Sequence, residues 1–600
     1  MIRRFPHILR ENRGGDFPQY FIFFDTETRN VDFDNNAREL QLRLGVAKFC
    51  RRRANGTLNV VDEITFTTRA QFHEWVESKI QKGRRTFMVA HNIGFDIQVL
   101  DVLGYLRAHK WKRVMTFLDY SITLFKYRRR KASLVLFDNM NIFKVRLEEL
   151  GHNIGLEKLN VDFEDATEDK LRVYCTRDVD IMIRAWEQWF AFLREHDAGN
   201  FAYSLAGQSF NAYRHRFMNE RIFIHNNERA LALERAAYHG GRCEAFFIGT
   251  LKPASYYKLD VNSMYPAVMR NYTFPVRLIS HRTTVIKDEF QFAYEHYGII
   301  ARVKVDTPHP FFPKDIKGQL CFPLGRFETT ICKPEIELLY RYKIPFTVVE
   351  YAIYEEKAPF KDFVDYYYNL RMQYRKEGNT TFEYLSKVLL NSLFGKFGQK
   401  KDKWVMAKGF SGEKDGIQEY FDVDTGQLIK LRIIGGRAER SAGKVEGQNS
   451  FPAISAYITS YARAMLIDIM STAEWKNVAY CDTDSIITNA AGRLNCANFI
   501  DNTRLGFLKI EQQGEQLSIR GLKDYIFNGK ETIKGVKRDA IFIKEDEVIQ
   551  DKFRGLKGAL ADGDTSHQLV YREKKVLARQ YAKGSVDAQG IVHPLVLQDF

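Results

Sequence analysis

The chain has 600 residues, and its 90 Lys and Arg against 75 Asp and Glu leave a formal net charge of +15. Hydrophobic residues form 45% of the chain and aromatic residues 14%, whereas Gly and Pro number 39 and 14. This composition excludes a disordered or fibrous protein, and the length predicts about four structural units rather than one small domain. The basic surplus favours a polyanionic partner, either nucleic acid or an anionic membrane surface.

Cysteine spacing and hydropathy bear on whether the protein is disulfide-rich, membrane-spanning or secreted. The seven cysteines are scattered and include no CxxC pair, so we expect neither a disulfide framework nor a cysteine-ligated metal site. No apolar run approaches the roughly 18 residues of a membrane-spanning helix. The basic start, residues 1–16, lacks the apolar core of a secretory signal. We therefore expect an intracellular protein, with an organellar presequence as the alternative that the N-terminal arginines leave open.

The first third of the chain predicts one α/β domain over residues 1–195. Apolar runs favour strands, and an apolar period of 3.6 favours a helix. These segments are residues 20–24, 86–90 and 134–137 for the strands and 171–193 for the helix.

The remainder, residues 196–600, predicts a second and larger region. Its clearest signals are a strand and two long helices, at residues 256–261, 361–395 and 452–470. Residues 409–450 are rich in Gly and charge, which predicts an extended hairpin or a mobile loop. Two short basic runs, at residues 51–53 and 128–131, favour solvated faces, with nucleic-acid contacts as the alternative.

A first set of carboxylates begins with Asp25 and Glu27, which follow the apolar run FIFF. Because residues i and i+2 of a strand point to the same face, the two acids converge and need a cation between them. Alone, such a D-x-E pair is more often a surface or capping feature than a metal site.

Two further pairs extend this set: Asn92 with Asp96, and Tyr174 with Asp178. Each has the i, i+4 spacing that places both side chains on one face, if its segment is helical. Four acids could then share two metal ions. The ligand set would be Asp25, Glu27, Asp96 and Asp178. Hard oxygen ligands suit Mg²⁺ or Mn²⁺, and a paired-metal site can support phosphodiester cleavage.

A second set of carboxylates lies far along the chain. Asp260 comes near the end of an apolar strand, and Asp482 and Asp484 occupy the predicted tip of a strand–turn–strand hairpin. Acids so far apart in sequence meet only across a sheet. There, two Mg²⁺ ions could support phosphoryl transfer from a nucleoside triphosphate.

Between these acids, the segment KVLLNSLFGKFG predicts a helix with one chemically useful face. Lys387, Asn391 and Phe394 would offer a phosphate-binding cation, a polar group and a stacking ring. A buried helix with stray polar residues is the alternative interpretation.

The order D-x-E, N-x-x-F-D and Y-x-x-x-D within one α/β domain resembles the DnaQ-like 3′→5′ exonucleases of proofreading polymerases. The resemblance implies that the four acids bind metal ions and that Tyr174 orients the attacking water. Asn92 and Phe95 would hold the single-stranded primer end. Lys158, in GLEKL, is the nearest match to the lysine that compact members carry before the third motif. The upstream Ser/Thr-Leu element of that family reads Asn139-Met140 in this chain.

The motifs D-x-N-S-M-Y-P, K-x-x-x-N-S-L-F-G and Y-C-D-T-D-S follow in that order, and together with the exonuclease set they resemble family B DNA polymerases. The resemblance implies that Asp260 and Asp484 bind both catalytic metal ions and that Asp482 assists. Among the implied nucleotide contacts, Tyr265 is the gate against ribonucleotides. Lys387 and Arg375 would bind the triphosphate, with Arg371 as the alternative to Arg375. Asn391 and Phe394 would form walls of the nucleotide pocket. The implied DNA contacts are Lys523 and Tyr525 at the primer, and Tyr238, Gly240 and Gly241 at the single-stranded template.

The same resemblance implies an α/β multidomain protein, with an RNase H-like exonuclease domain at 1–195 and a right-hand polymerase domain at 196–600. The expected subdivisions of the second domain are a palm at 196–280 and 450–535, an insertion at 281–360, fingers at 361–400, a hairpin insertion at 401–449 and a thumb at 536–600.

The compact, protein-primed branch of the family, found in phages, adenoviruses and linear plasmids, is the expected position of this chain. The first implied metal ligand is already residue 25, and CxxC pairs are absent. The run from FPLGRFETTICKPEIELL to PFKDFVDYYYNL, residues 322–370, is similar to the insertion that contacts the terminal protein. The segment 401–449 occupies the place of the insertion that encircles DNA.

That branch implies a template-directed DNA polymerase with a proofreading exonuclease and two Mg²⁺ ions, or Mn²⁺, in each active site. Its expected partners are template and primer DNA, deoxynucleoside triphosphates and a terminal protein, with no membrane. We expect a monomer in the cytoplasm of the host cell of a virus or plasmid. A DNA-primed or primer-independent polymerase, an RNA-templated polymerase and an inactive DNA-binding relic are the alternatives.

Overall fold

The computed structural model describes residues 4–34, 37–119, 122–163, 166–407, 414–422, 426–537 and 539–599. The expected hairpin insertion therefore lies partly outside the described residues, at 408–413 and 423–425. Among the helices of the described ranges, none is both long and apolar enough to cross a lipid bilayer.

The first part of the chain, up to residue 200, combines long strands with helices. Its strands are β1 His7–Ile8, β2 Tyr20–Asp32, β3 Ala37–Arg52, β4 Leu58–Phe66, β5 Arg85–Ala90, β6 Lys112–Leu118, β7 Thr123–Arg129 and β8 Ala132–Asp138. Its helices are α1 Arg69–Lys79, α2 Gly94–Val99, α3 Val102–Ala108, α4 Leu147–Asn153 and α5 Glu168–Glu195.

The middle of the chain mixes short strands with long helices. Its strands are β9 Phe223–Ile224, β10 Cys243–Ala245, β11 Gly249–Thr250, β12 Tyr256–Val261, β13 Phe274–Arg282, β14 Gly298–Thr307, β15 Lys314–Ile316, β16 Gln319–Cys321, β17 Leu324–Cys332 and β18 Phe346–Lys357. Its helices are α6 Leu205–Ala212, α7 Glu228–Ala237, α8 Met264–Asn271, α9 Lys287–His296, α10 Lys333–Arg341, α11 Lys361–Lys376 and α12 Thr380–Phe397.

The last third is mostly strand. Its strands are β19 Lys400–Met406, β20 Gly416–Asp422, β21 Gln427–Ile434, β22 Arg437–Glu446, β23 Val478–Asp482, β24 Ser485–Asn489, β25 Leu508–Gly514, β26 Leu517–Gly521, β27 Asp524–Phe527, β28 Lys530–Ile533, β29 Ile541–Lys544, β30 Glu547–Phe553, β31 Leu569–Val576, β32 Gly584–Val586, β33 Val592–Pro594 and β34 Val596–Gln598. Its helices are α13 Pro452–Ala473, α14 Ala490–Asn495 and α15 Leu556–Ala561.

The N-terminal sheet is built around β2, whose residues 21–24 are fully buried on both faces. The strand pairs antiparallel with β3 and parallel with β5, which in turn pairs parallel with β8. Helix α5 covers one face and packs Trp186 against Phe21 and Phe23, while α1, α2 and α3 cover the other face. A continuous apolar run suits a strand that is covered on both sides. The three strands and the helix expected in this region are confirmed.

One local expectation in this domain is wrong. Asn92 and Asp96 were expected on one helical face, but α2 begins at Gly94 and Asn92 has a φ of 65°. Asn92 therefore lies in the left-handed turn that leads from β5 into α2, where its backbone N–H donates to the Asp138 carboxylate. Tyr174 and Asp178, by contrast, both lie within α5 as expected.

The N-terminal sheet also includes strands from the C-terminal part of the chain. Residues Ala37–Glu39 of β3 pair with residues 569–571 of β31, and β30 and β29 follow in the same sheet. Part of the segment expected as a thumb, 536–600, thus extends the sheet of the first domain. Nothing in the local pattern of β29 to β31 indicates this long-range pairing.

The second sheet has the antiparallel order β10-β23-β24-β12-β25. The expected hairpin is confirmed, because β23 and β24 pair antiparallel around a turn at Thr483, which has a φ of 60°. Helix α13 packs against α8, α12 and β24, so its buried apolar residues form much of the core behind the sheet. This sheet brings Asp260 and the 482–484 turn to one edge.

Residues 281–360 form most of a third sheet, in the order β13-β18-β14-β17-β34. Helix α10 packs beside it and against α13. The last strand, β34, returns from the end of the chain and pairs parallel with β17. This segment is therefore part of the folded body and not a detached loop.

The helices α11 and α12 form an antiparallel pair, and α12 also packs against α6. The following segment forms a sheet in the order β19-β22-β21-β20, which we call the hairpin sheet. Its β21–β22 turn docks on the N-terminal domain, where the buried Arg113 donates to the carbonyl oxygen of Ile434 at 2.9 Å and to the Glu439 carboxylate at 2.8 Å.

Candidate active sites

The first candidate centre is formed by Asp25, Glu27, Asp96 and Asp178. Strand alternation on β2 turns Asp25 and Glu27 to the same side, and a ligand atom of each lies within 4.8 Å of the other and of the Cys175 Sγ. Cys175, on α5, was not singled out in the sequence; its thiol lies 3.4 Å from the Asp25 carbonyl oxygen.

Helix α2 and helix α5 bring the other two acids to this centre. The Thr26 hydroxyl donates to the Asp96 carboxylate at 2.7 Å. The ammonium group of Lys158 pairs with Asp178 and lies 4.3 Å from the Tyr174 ring centroid. The structure therefore gathers Lys158 and Tyr174 beside the four acids.

Burial and mutual repulsion shape the electrostatics of the first centre. Burial, followed by the charges of Asp178, Asp96 and Glu27, raises the pKa of Asp25 well above its usual value. Burial also raises the pKa of Glu27 to about 8 and that of Asp96 to about 7. Clustered buried acids of this kind need a compensating cation.

The donor set of the first centre fits divalent metal ions. All four members offer carboxylate oxygens, which Mg²⁺ and Mn²⁺ prefer. Within the described residues, the Oδ1 atom of Asp178 is buried without a hydrogen-bond donor, whereas its Oδ2 atom accepts from Lys158. A buried oxygen left without a donor is the feature that a metal ion would satisfy.

A cavity of about 410 Å³ lies next to this centre. Asn92, Asp138 and Met140 line one side, and Leu556 from α15 lines the other. Its neighbour Asn139 is fully buried, where its amide bonds the Trp186 indole at 2.8 Å and His91 at 2.9 Å. Asn139 is therefore structural, and Met140 is the exposed member of that pair.

The second candidate centre is formed by Asp260, Asp482 and Asp484. Asp260 pairs with Ser485 across the sheet, and the Val261 N–H donates to the Asp484 carbonyl oxygen at 2.7 Å. The two acids thus become neighbours through strand pairing. Burial and the charge of Asp260 raise the pKa of Asp484 to about 6.

Two lysines already approach these carboxylates. Lys509, on β25, lies 2.9 Å from Asp260, and Lys523 lies 3.0 Å from Asp482. Lys523 was expected at the primer, whereas Lys509 was not identified, since no motif marks it. The carboxylates of this centre therefore attract positive charge, as a site for a pair of divalent metal ions would.

Two side chains expected to contact the nucleotide lie near this centre, since the charge of Asp484 acts on Tyr265 and the charge of Asp260 acts on Lys387. The rings of Tyr265 and Phe394 lie 4.6 Å apart between centroids. Lys387 lies on α12. Loss of solvent around its ammonium group, followed by the charges of Arg371 and Lys509, lowers its pKa. Asn391 lies half-buried one turn further along the same helix.

The two rival arginines have different surroundings. Arg371 is buried and donates to the Ser263 hydroxyl at 3.0 Å, next to the Asp260 strand. Arg375 is half-exposed and donates to the Glu383 carboxylate at 2.8 Å. Arg371 is therefore the arginine that faces the second centre.

The sequence of the chain matches a known protein family. The sequence profile described as DNA polymerase type B, organellar and viral, matches residues 109–431, more than half of the chain. This chain belongs to that family. The matched range includes Tyr174, Asp178, Asp260, Tyr265 and the Lys387 helix.

Curated relatives of this chain include proteins of phages and fungi. The chain is similar to the DNA-directed DNA polymerase of Enterobacteria phage PRD1, with 28% identity over 326 residues that cover 52% of this chain and 53% of the phage protein. It is also similar to a DNA polymerase of Kluyveromyces lactis, with 24% identity over 510 residues that cover 76% of this chain and 48% of that protein. The chain spans about half the length of these relatives.

Among solved structures, the type B polymerase is similar to phi29 DNA polymerase complexed with single-stranded DNA. The TM-score is 0.68 at 14% identity, over 94% of this chain and 100% of that one. At this identity the likeness shows the fold. The expected α/β multidomain fold is confirmed. The expected resemblance to the compact type B polymerases is confirmed as well.

The segment Tyr238–Gly241 of this type B polymerase is held by a buried ion pair that the sequence did not reveal. Arg463, on α13, donates to the carbonyl oxygens of His239 at 2.8 Å and Gly240 at 3.0 Å, and pairs with the fully buried Glu335. A Cβ at Gly241 would meet the Thr483 side chain at 2.7 Å, so only glycine allows this approach to the 482–484 turn. The segment is thereby fixed beside the second centre.

Proposed function

We propose that this protein is a template-directed DNA polymerase with a separate 3′→5′ proofreading exonuclease, replicating a linear viral or plasmid genome. The observation that carries the proposal is the pair of carboxylate centres on two different sheets, each with its own lysine paired to an acid. We assign the exonuclease to residues 1–195 and the polymerase to residues 196–600. The strands of 541–576 then support the exonuclease sheet.

Divalent metal ions, Mg²⁺ or Mn²⁺, are the proposed cofactors of both centres. Asp260 and Asp484 would hold the pair in the polymerase site with help from Asp482. Asp25, Glu27, Asp96 and Asp178 would hold the pair in the exonuclease site. Such ions stabilise the charge that develops on phosphate oxygens during transfer.

The residues around Asp260 and Asp484 supply binding and orientation for nucleotide addition. Lys387 and Arg371 would contact the triphosphate of the incoming nucleotide, since both cations face the second centre. We favour Arg371 over Arg375 for this role because Arg371 donates to Ser263 and lies 3.6 Å from Glu383, whereas Arg375 lies 2.5 Å from that carboxylate. Tyr265 would lie beneath the sugar, with Phe394 and Asn391 completing the pocket.

The DNA would run from this pocket along two flanking segments. Lys523 and Tyr525 would contact the primer strand next to Asp482. Tyr238, Gly240 and Gly241 would contact the single-stranded template, since Arg463 fixes their backbone beside the 482–484 turn.

In the exonuclease, Tyr174 and Lys158 would orient the attacking water, because both lie against Asp178. Asn92 and Phe95 would hold the single-stranded primer end, and the 410 Å³ cavity beside Asn92 gives that end a place. Met140 takes the position of the usual leucine.

Initiation on a terminal protein is the finer part of the proposal. The segment 281–360 would contact the terminal protein, since it carries exposed aromatic side chains such as Phe292, on the helix α9 that packs against β14. The hairpin sheet would close over DNA, since its tip is anchored on the N-terminal domain. We propose a monomer acting in the cytoplasm of the host cell.

The experiment that tests this function separates the two centres. Asp484→Ala should lower nucleotide incorporation by several orders of magnitude, because the charge of the transition state loses its support, and should leave single-strand exonuclease activity intact. Asp25→Ala with Glu27→Ala should do the reverse. Both variants are assayed for incorporation on a primed template and for release of nucleotides from a labelled single strand. Loss of both activities in either folded variant would refute the two-centre assignment.

A further inference from the structure

A groove of about 500 Å³ opens on the N-terminal sheet at the end of β2 that lies away from the first centre. Tyr20 lines the groove, and Asp25 follows five residues later, roughly 17 Å along the strand. The other residues used below that line it are Phe17, Arg84, Arg85, Phe201 and Tyr203. The groove is therefore separate from both centres described above.

Cations converge beside this groove from neighbouring strands. Arg85 on β5 and Arg128 on β7 both pair with Ser133 of the strand between them. Because paired residues share a face of the sheet, the two guanidinium groups flank Ser133 on one face. Lys126, two residues before Arg128, points to that same face.

These cations are not balanced by acids. Arg85 and Arg128 are exposed, and neither they nor Lys126 form an ion pair within the described part of the chain. Partial burial, followed by the charges of Arg85 and Arg128, lowers the pKa of Lys126. Asp16 is the acid among the residues that line the groove. Like charges gathered in this way weaken the fold, and an anionic ligand would remove the repulsion.

Aromatic rings accompany the cations. The Arg84 guanidinium lies 4.6 Å from the Tyr20 ring centroid. The rings of Phe201 and Tyr203 lie 6.2 Å apart, edge to face, and both side chains are half-buried. A cationic groove with aromatic platforms is typical of surfaces that bind single-stranded nucleic acid, because unpaired bases can stack on the rings while phosphates meet the cations.

We propose that this groove binds single-stranded DNA outside the two catalytic centres, with Arg85, Lys126 and Arg128 on phosphates and Tyr203 against a base. The proposal rests on the proposed function as a DNA polymerase, which supplies single-stranded DNA as template or displaced strand. Arg128, the first residue of the basic run at 128–131, is then a nucleic-acid contact and not only part of a solvated face.

The test uses the full chain with its main cleft saturated by unlabelled primer–template. Binding of a labelled oligothymidylate is followed by anisotropy over a series of salt concentrations. The double variant Arg85→Gln with Arg128→Gln should bind more weakly, and the slope of log K against log salt should become less negative by about 1.4, which corresponds to two phosphate contacts on a single strand. The matched control, Arg282→Gln with Lys287→Gln, removes two exposed cations elsewhere and should keep the wild-type slope.

A second variant separates stacking from charge. Tyr203→Leu keeps apolar packing but removes the ring, so the affinity should fall about tenfold while the salt slope stays unchanged. A wild-type slope in the Arg85/Arg128 variant, or wild-type affinity in the Tyr203 variant, would overturn the proposal. Equal or tighter binding of oligouridylate would overturn the assignment to DNA.

Incorporation on a short primed template distinguishes this proposal from the proposed function. Wild-type incorporation by the groove variants, together with weakened oligothymidylate binding, supports the groove as a separate site. Absence of incorporation by the wild-type protein would refute the polymerase function, whatever the groove binds.

Discussion

At the scale of single residues, Tyr265 is the side chain whose role is simplest to test. Its ring lies 4.6 Å from the Phe394 ring, tilted by 35°, beside the Asp260 and Asp484 edge. A planar ring beneath the sugar leaves no room for a 2′-hydroxyl. Tyr265→Val should therefore raise ribonucleotide incorporation strongly while deoxynucleotide incorporation is retained, measured as the ratio of kcat/KM for the two sugars.

The control for this variant is Phe394→Tyr, which adds a hydroxyl group and leaves the ring in place. It should not change the ratio for the two sugars. An unchanged ratio in Tyr265→Val would remove Tyr265 from the gate.

The two arginines of α11 allow a matched comparison. Arg371 is buried next to Ser263, and a charged hydrogen bond there to a phosphate contributes about 1.5–3 kcal/mol. Arg371→Ala should therefore raise the KM for deoxynucleotides about tenfold to hundredfold. Arg375→Ala should change it by less than about fivefold, because an exposed ion pair contributes roughly 0–1 kcal/mol. Steady-state kinetics decide between them, and the opposite order would restore Arg375.

His239 gives a prediction on pH. Burial and the charge of Arg463 lower its pKa to about 4, below the ordinary value near 6.5. Between these values the unfolded chain binds a proton that the folded chain does not, so stability falls as pH decreases from about 6.5 to about 4. In His239→Gln the denaturation midpoint should fall less steeply over this range. An unchanged pH dependence would contradict the shift.

At the scale of elements, the hairpin sheet depends on Arg113 for its attachment to the N-terminal domain. The Arg113 and Glu439 side chains are both buried, and removing one member of such a pair destabilises the contact by roughly 3–5 kcal/mol. Arg113→Ala should therefore shorten the products made in one binding event and weaken strand displacement, while addition of the first nucleotides is retained. Product lengths in the presence of a DNA trap measure this.

The matched control is Arg437→Ala. Arg437 pairs with the same Glu439 at 3.0 Å, but its side chain is 38% exposed, so its loss should change product length little. Equal effects of both variants would show that the buried contact does not hold the hairpin sheet.

At the scale of the whole molecule, the property to test is initiation of DNA synthesis on a terminal protein. Deleting the insertion 281–360 would remove buried residues such as Ile331 and Ile336, which form part of the folded core, so a surface substitution is the better test. Phe292 on α9 is 56% exposed. Phe292→Ser should lower deoxynucleotide transfer to a co-encoded terminal protein at least tenfold and spare extension of a DNA primer.

Phe553, which is 53% exposed on β30, provides the control. Phe553→Ser should leave transfer to the terminal protein unchanged. If no co-encoded protein ever accepts a nucleotide from the wild-type enzyme, a DNA-primed or primer-independent polymerase replaces the protein-primed proposal.

What the sequence determined by itself is local. Strand alternation predicted that Asp25 and Glu27 share a side, and the helical period predicted that Tyr174 and Asp178 share α5, because both periodicities act within a few residues. The hairpin at the Asp482 to Asp484 turn was predicted for the same reason. The helical spacing of Asn92 and Asp96 gave a wrong prediction, because Asn92 has a left-handed conformation and its N–H donates to Asp138 at the end of a distant strand.

The tertiary structure decided which distant groups meet these residues. Lys509 reaches Asp260 and Arg463 reaches the His239 backbone only because strands and helices from other parts of the chain pack there. The same holds for Cys175 at Asp25 and for the strands of 541–576 on the N-terminal sheet. Each of these contacts joins residues with no common period or motif, and its free energy comes from burial and pairing that exist only in the folded chain.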